Sequence, residues 1–400
     1  MEINNSDTFF KNKILKRESF FQNDINKHKD FLTNKILNSS ILVIGGAGTI
    51  GSNYIKQILH FKPQRVVVVD TNENGLTELT RDLRSTYLLD DIDDFRTYPI
   101  NLNDIVFDRL FNSESKFDVV ANFAAHKHVR SEKDIYSIEA LIRNNVFGAV
   151  KLIKLLKNNK PKLFFSVSTD KAANSVNIMG ASKSLMEKIL LSEMNSLNIK
   201  TARFANVAFS NGSLLDGFIK RINKRQPVSC PKDIKRFFVT PEESGQICML
   251  ATYLGDSGNI FFPKFNFEND QIFFKHIALE FFNYLGYNLY ECKSEIEAKK
   301  FDFHNNKNKY PIFFFQSDTS GEKEYEEFYT KRESVDLKTF DSLGFIKKNH
   351  NNINLDKVRL DFEELFNKES ISKSDIVDLI KSYVPDFNHI EKGKNLDDKM

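Results

Sequence analysis

The stretch GGAGTIGS, residues 45–52, restricts the fold of this chain more than any other. It follows the apolar run ILVI and opens the amphipathic pattern TIGSNYIKQILH, so a buried strand, a tight turn and a helix succeed one another. Gly45, Gly48 and Gly51 form a GxxGxxG frame, and a GxGxxG frame begins at Gly46. Such a turn excludes side chains where the backbone doubles back, where a ligand approaches it and where helix meets sheet. Thr49 and Ile50 open the helix, whose first amides and positive dipole end suit a phosphate. QRVVVVD then supplies a second buried strand, closing at Asp70 about 20 residues on, where an acid can receive ribose hydroxyls.

The same rhythm continues. FDVVANFAA (117–125), KLFFSVST (162–169) and KTARFANVAFS (200–210) read as further strands, with helical patterns over 137–159 and 182–198. Continuous apolar strands alternating with helices predict an α/β fold, a doubly wound parallel sheet covered on both faces. The expected organisation is a helical extension over 1–39 and a dinucleotide-binding domain over 40–210. A smaller C-terminal substrate-binding region follows over 211–330, partly interleaved with that core, then a helical tail over 331–400. In the tail, SKSDIVDLIKSYV is the clearest helix.

Composition excludes several classes of partner. The 57 basic and 54 acidic residues are interspersed and nearly cancel, so neither nucleic acid nor an anionic membrane is favoured. Cys230, Cys248 and Cys292 form no CxxC pair, which argues against a metal or disulfide and for a reducing cytoplasm. The charged start MEINNSDTFFKNKILKRESF is unlike a signal peptide, and no apolar run reaches membrane-spanning length.

Asp70 selects the cofactor as well as binding it. Its carboxylate would repel a 2′-phosphate, and the following TNENG holds no arginine to offset that, so NAD is expected over NADP. Ala124 and Ala125, in NFAAHKHV, are small enough to let the dinucleotide approach the end of a fourth strand. His126 and His128 lack an acidic or thiol partner at ligand spacing, so positioning roles fit them better than a metal. Asn145 is placed to hold a helix bend or a water near a lysine.

Residues 168–183 read STDKAANSVNIMGASK. Thr169, Asp170 and Lys171 fall at the carboxyl end of a central strand, where ligands bind in such sheets. Met179 stands four residues before Lys183, where a familiar dehydrogenase pattern has tyrosine.

With GGAGTIGS, AAHKHV, STDKAANSVNIMGASK, RFANVAFSNGS, KRFFVT and SGEKEYEEF in this order, residues 40–330 resemble the extended short-chain dehydrogenase/reductase superfamily. Within it they look like nucleotide-sugar 4,6-dehydratases of the CapD polysaccharide-biosynthesis type, in the branch with methionine for tyrosine. The resemblance implies bound NAD, a nucleotide-sugar substrate (commonly UDP-N-acetylglucosamine), retention at C5 and a homo-oligomer. Such products feed surface polysaccharide or nonulosonic acid synthesis. The Asp170–Lys171 pair is characteristic of that group. Asn206 matches an asparagine that contacts substrate, Arg236 is a candidate pyrophosphate contact, since a guanidinium fork suits phosphate, and Lys127 is a further candidate substrate contact. Two departures stand out: Ala205 where glycine is usual, and Thr319–Ser320 where Arg-Pro is common, which leaves uracil and guanine both open.

The implied reaction explains the residues. The C5 proton of a hexose becomes acidic only once C4 is a ketone, so NAD takes hydride from C4 and returns it to C6 after water is lost. Thr169 can bond the sugar oxygen, while Asp170 accepts the 4-hydroxyl proton and later gives it to the departing 6-hydroxyl. Lys171 is the candidate C5 base, its pKa expected to be depressed by burial and by Lys183. Lys183 is expected to bind the nicotinamide ribose and supply positive field to the oxyanion, with Met179 beside it. Arg203 reads as buried structure, and GEKEYEEF as a charged helix start. A 4-epimerase, a GDP-sugar dehydratase and a non-catalytic NAD-binding regulator remain alternatives.

Overall fold

The computed structural model describes residues 6–391 except 115, 318–320, 322, 324 and 348–351. Its first strands are β1 (Ser40–Ile44), β2 (Arg65–Asp70), β3 (Asp94–Pro99), β4 (Val119–Asn122) and β5 (Leu163–Val167). There follow β6 (Ile199–Ala202), β7 (Asn206–Val207), β8 (Val228–Pro231), β9 (Lys235–Val239) and β10 (Ile260–Pro263). The last are β11 (Gln271–Phe273), β12 (Asn288–Cys292), β13 (Lys309–Phe315), β14 (Val335–Asp336) and β15 (Leu343–Ile346).

The main sheet runs β14-β15-β10-β6-β5-β4-β1-β2-β3. Every pairing from β3 through β10 is parallel, and β14 and β15 add antiparallel at the edge. The order reverses between β1 and β4, the switch point at which dinucleotides bind in doubly wound sheets. Alternate residues of one strand enter opposite cores: Val66 and Val68 face one apolar cluster, Val67 and Val69 the other. That is why these strands read as unbroken apolar runs rather than as alternations.

The two smaller sheets, β11-β9-β7 and β12-β13-β8, lie in the region expected to cover substrate apart from β7, which falls in the stretch expected to bind the dinucleotide. They share a Phe-rich cluster that takes in Phe218, Phe238, Phe281 and Phe282, together with Phe9 and Phe10 from the amino-terminal extension. Helix Pro241–Tyr253 returns to the main core and packs on helix Thr49–Leu59. A Cβ on its Gly245 would stand 2.4 Å from the Asn53 carbonyl oxygen, so the two backbones touch. The tail differs from the helical expectation. LGFI alternates into the sheet as β15, and helices Leu355–Phe366 and Lys373–Tyr383 follow, packing on the apolar cluster beneath helix Ile178–Ser192.

Candidate active site

The glycine turn is built by contact. Gly45 has φ +79°, and a Cβ there would lie 2.5 Å from the Ala124 nitrogen and 2.8 Å from the Phe123 carbonyl carbon. The exits of β1 and β4 therefore meet at the switch point. A Cβ on Gly51 would lie 2.4 Å from the Gly45 carbonyl oxygen, which seats the helix on the turn. At Gly48 the added Cβ would meet only the Gly45 carbonyl oxygen, at 3.5 Å, so this glycine presents open backbone. Asp70 is half-buried at the rim; it accepts the Ala47 and Asn72 amides, each at 2.9 Å. Thr49 Oγ1 accepts the Asn211 amide at 3.0 Å, while Ile50, Ala124 and Ala125 are half-buried around the turn. Open glycine backbone at a helix start with a carboxylate on the next strand fits a dinucleotide.

Asn145 sits in a π-helical turn, Arg143–Phe147. Its side chain accepts the His126 amide (2.9 Å) and donates to the His126 carbonyl (3.0 Å) and Ser182 Oγ (3.0 Å). It thus fastens the exit of β4 to the helix carrying Lys183. His126 and Lys127 are exposed, and His128 packs near Gly212. Among the described residues no three His, Cys, Asp or Glu side chains gather as a metal site.

Beyond β5 the chain makes a short 3-10 turn, Asp170–Ala172. Thr169 Oγ1 donates to Asp170 Oδ1 (2.9 Å), which also accepts Lys171 Nζ (3.1 Å). A Cβ on Gly180 would lie 2.3 Å from the Lys171 carbonyl oxygen, so helix Ile178–Ser192 presses directly on this turn. Lys171 does not have the depressed pKa expected of it. Burial pushes the ammonium towards neutrality, but Asp170 and Glu326 beside it prevail and hold it above the ordinary lysine range. The cations nearest it are Arg236 and Lys323, whereas Lys183 is spent elsewhere. Lys183 Nζ donates to the Val167 carbonyl (2.9 Å) and approaches Met186 Sδ (3.5 Å). Its burial lowers the pKa to about 8. Its positive charge is therefore lost as pH rises through that value. Turnover is expected to fall above about pH 8, and a Lys183→Met variant, measured across the same range, to be slow and to lack this limb. Met179, placed among the catalytic positions by its spacing, is 2% exposed and packs in the apolar cluster with Ile178 and Ala181.

Three glutamates that local pattern did not single out complete the site. Glu132 accepts the Ile178 amide at 2.7 Å, while Asn177 caps the same helix at Gly180 (2.7 Å) and donates to the Gly321 carbonyl (2.8 Å). The chain's later end closes over this corner: the Asn388 and Ile390 amides bond the carbonyls of Ser175 (3.0 Å) and Val176 (2.9 Å). Glu187, the second, accepts Ser168 Oγ (2.5 Å) and a two-pronged bond from Arg203 (3.0 and 2.8 Å). Arg203 also bonds Glu333 (3.1 and 2.8 Å) and the Phe328 carbonyl (2.9 Å), so it ties the 328–333 segment to helix Ile178–Ser192. Arg203→Met leaves Glu187 buried without its partner, and chemical denaturation is expected to show a loss of about 3–5 kcal/mol.

Glu326, the third, lies 3.5 Å from Lys171 Nζ and 3.8 Å from Arg236 Nη2. The described residues of 321–328 form turn and bend rather than the helix start expected there, which is what lets this side chain fold inwards. Arg236, expected on a pyrophosphate, is 4% exposed and bonds the carbonyls of Lys235 (2.8 Å) and Lys323 (2.9 Å). Asn206 is half-buried at the start of β7. Thr319 and Ser320 lie outside the described residues.

Known proteins resemble this chain in sequence and in fold. The chain is 31% identical over 234 residues to the capsular polysaccharide biosynthesis protein CapD of Staphylococcus aureus, matching 57% of this chain and 38% of that one. A UDP-N-acetylglucosamine 4,6-dehydratase (inverting) of Campylobacter jejuni is 28% identical over 237 residues, 56% of this chain and 66% of its own length. The chain thus spans from about a third to two thirds of these relatives. Among solved structures, Pen from Bacillus thuringiensis superposes with a TM-score of 0.64 at 22% identity, covering 87% of this chain and 98% of that one. DesIV, a dTDP-glucose 4,6-dehydratase from Streptomyces venezuelae, gives 0.54 at 17% identity over 86% and 97%. The profile of the polysaccharide biosynthesis proteins matches residues 41–348, and the chain belongs to that family.

Proposed function

We propose that the protein is an NAD-dependent nucleotide-sugar 4,6-dehydratase acting on UDP-N-acetylglucosamine to give its 4-keto-6-deoxy derivative, for surface polysaccharide or nonulosonic acid synthesis. The observation that carries this reading is the Thr169–Asp170–Lys171 turn, hydrogen-bonded within itself at the carboxyl end of β5, with β4 between it and the strand that opens into the glycine turn. The relatives named above support the coarser statement, a nucleotide-sugar dehydratase or epimerase. NAD supplies a reversible hydride acceptor, so the reaction has no net redox change. Gly45, Gly48, Thr49, Ile50 and Gly51 would hold its diphosphate, Asp70 the adenine ribose and Lys183 the nicotinamide ribose, with Ala124 and Ala125 alongside. Asn206, Arg236 and Lys127 are the proposed substrate contacts.

Thr169 steadies the 4-hydroxyl, and Asp170 takes its proton. Asp170 is then the acid that protonates the departing 6-hydroxyl, one carboxyl serving twice. Lys171 moves the C5 proton. A 4-epimerase has no use for an Asp-Lys pair poised at C5 and C6, which favours dehydration over the reaction named for relatives such as the UDP-glucose 4-epimerase of Rickettsia bellii. Incubating the protein with UDP-N-acetylglucosamine, and separately GDP-N-acetylglucosamine, in deuterated water with proton NMR tests the reading. A new C6 methyl signal with deuterium at C5 is expected from the UDP sugar, and its couplings report retention or inversion. Unchanged spectra from a protein that binds NAD would remove the dehydratase assignment for these sugars.

A further inference from the structure

Glu326 is a buried carboxylate in this site that the reaction above leaves idle. It is 4% exposed, and its Oε2 meets no hydrogen-bond partner among the described residues. Glu187 uses both of its oxygens, and Glu132 leaves Oε1 without a partner but holds a backbone amide with the other; Glu326 instead turns to two cations, Lys171 Nζ at 3.5 Å and Arg236 Nη2 at 3.8 Å. The charged groups facing it are Lys171 and Asp170 from the turn after β5, Arg236 from β9 and Lys323 from its own segment. Burial raises its pKa, Asp170 adds to the rise, and the three cations oppose it.

Lys171 presents a difficulty that Glu326 answers. Held at 3.1 Å from Asp170 and 3.5 Å from Glu326, the lysine rests as an ammonium and cannot accept a C5 proton. Asp170, however, becomes neutral when it takes the 4-hydroxyl proton. Lys171 then loses its nearer anion, and one acceptor remains within reach. We infer that Glu326 is the proton store of the site: it takes the ammonium proton of Lys171 once Asp170 is protonated, freeing the amine to remove the C5 proton.

The protons balance. The 4-hydroxyl proton goes to Asp170, and the Lys171 proton to Glu326. The C5 proton passes to the Lys171 amine, and Asp170 protonates the 6-hydroxyl, which leaves as water. After C6 is reduced, Lys171 returns a proton to C5 and recovers its own from Glu326. Glu326 touches no reacting atom, so it is a positioning residue acting through Lys171. The inference rests on the dehydratase reading for its consequence, and its first test is independent of any sugar.

The carbonyl stretch of a protonated carboxyl can be read as an infrared difference between Asp170→Asn and Asp170→Asn/Glu326→Gln, since asparagine mimics the neutral aspartic acid. A Glu326 band that persists above the ordinary glutamate value of 4.5 is expected, even though the variant lacks the Asp170 charge that adds to the rise in wild type. No such band at neutral pH would overturn the inference, whatever the sugar result. On the substrate, Glu326→Gln should lower kcat about 100-fold with KM changed less than threefold, remove the acid limb of the kcat profile and enlarge the isotope effect of C5-deuterated substrate. Glu326→Asp should restore part of the rate, and an unaltered melting temperature shows that Gln has not simply loosened the fold. A purely structural role, with KM or stability moved and the pH profile intact, would overturn it too. If the infrared band is present while neither sugar reacts, the proton store stands and the dehydratase reading falls.

Discussion

Under the proposed reaction, Asp170→Asn is expected to lower kcat for dehydration about 10³-fold while NAD affinity stays at the wild-type value. The side chain is 3% exposed and keeps its shape in the variant, so Thr169 and Lys171 retain a partner at the same place. What disappears is a group able to hold the 4-hydroxyl proton and later hand it to the 6-hydroxyl. Calorimetric titration of NAD beside NMR turnover separates the two effects. Lys171→Ala should behave alike. Near-wild-type turnover in either variant would sink the assignment of this turn as the catalytic one.

The glycine turn gives the second large effect, and two substitutions read it together. Gly45→Ala places a Cβ between Ala124 and Phe123 backbone atoms on a residue at φ +79°, where neither neighbour can yield. The conformation alone costs about 1–2 kcal/mol. A lower melting temperature and NAD affinity weakened at least about tenfold are expected. Gly48→Ala meets nothing among the described residues closer than 3.5 Å, so its melting temperature should not move. If the diphosphate lies on that open backbone, its NAD affinity falls nonetheless. An unchanged affinity in Gly48→Ala, measured by the same titration, would place the dinucleotide elsewhere.

Much of this was legible from local pattern, because the constraints are themselves local. Four consecutive valines, Val66–Val69, must be covered on both faces, and glycines at three-residue spacing must turn before a helix. Asn145 could be assigned to a helix bend for the same reason. Glu326 could not be read, since its meaning depends on Lys171, which lies on a different element far back in the chain. The expected depression of Lys171 failed for the same cause: two carboxylates, one of them distant in sequence, outweigh burial. β14 and β15 were hidden because two short edge strands after a loop look like any other apolar residues in a tail.

The contacts of Asn388 and Ile390 with Ser175 and Val176 carry a consequence for biosynthesis. The ribosome delivers the chain from its amino end, and the glycine turn, Asp70 and the catalytic helix all emerge long before residue 388. The Ser175–Val176 loop must wait for these hydrogen-bond partners until Asn388 and Ile390 have been made. The nascent chain therefore has its glycine turn before it has the clamp on the Ser175–Val176 corner.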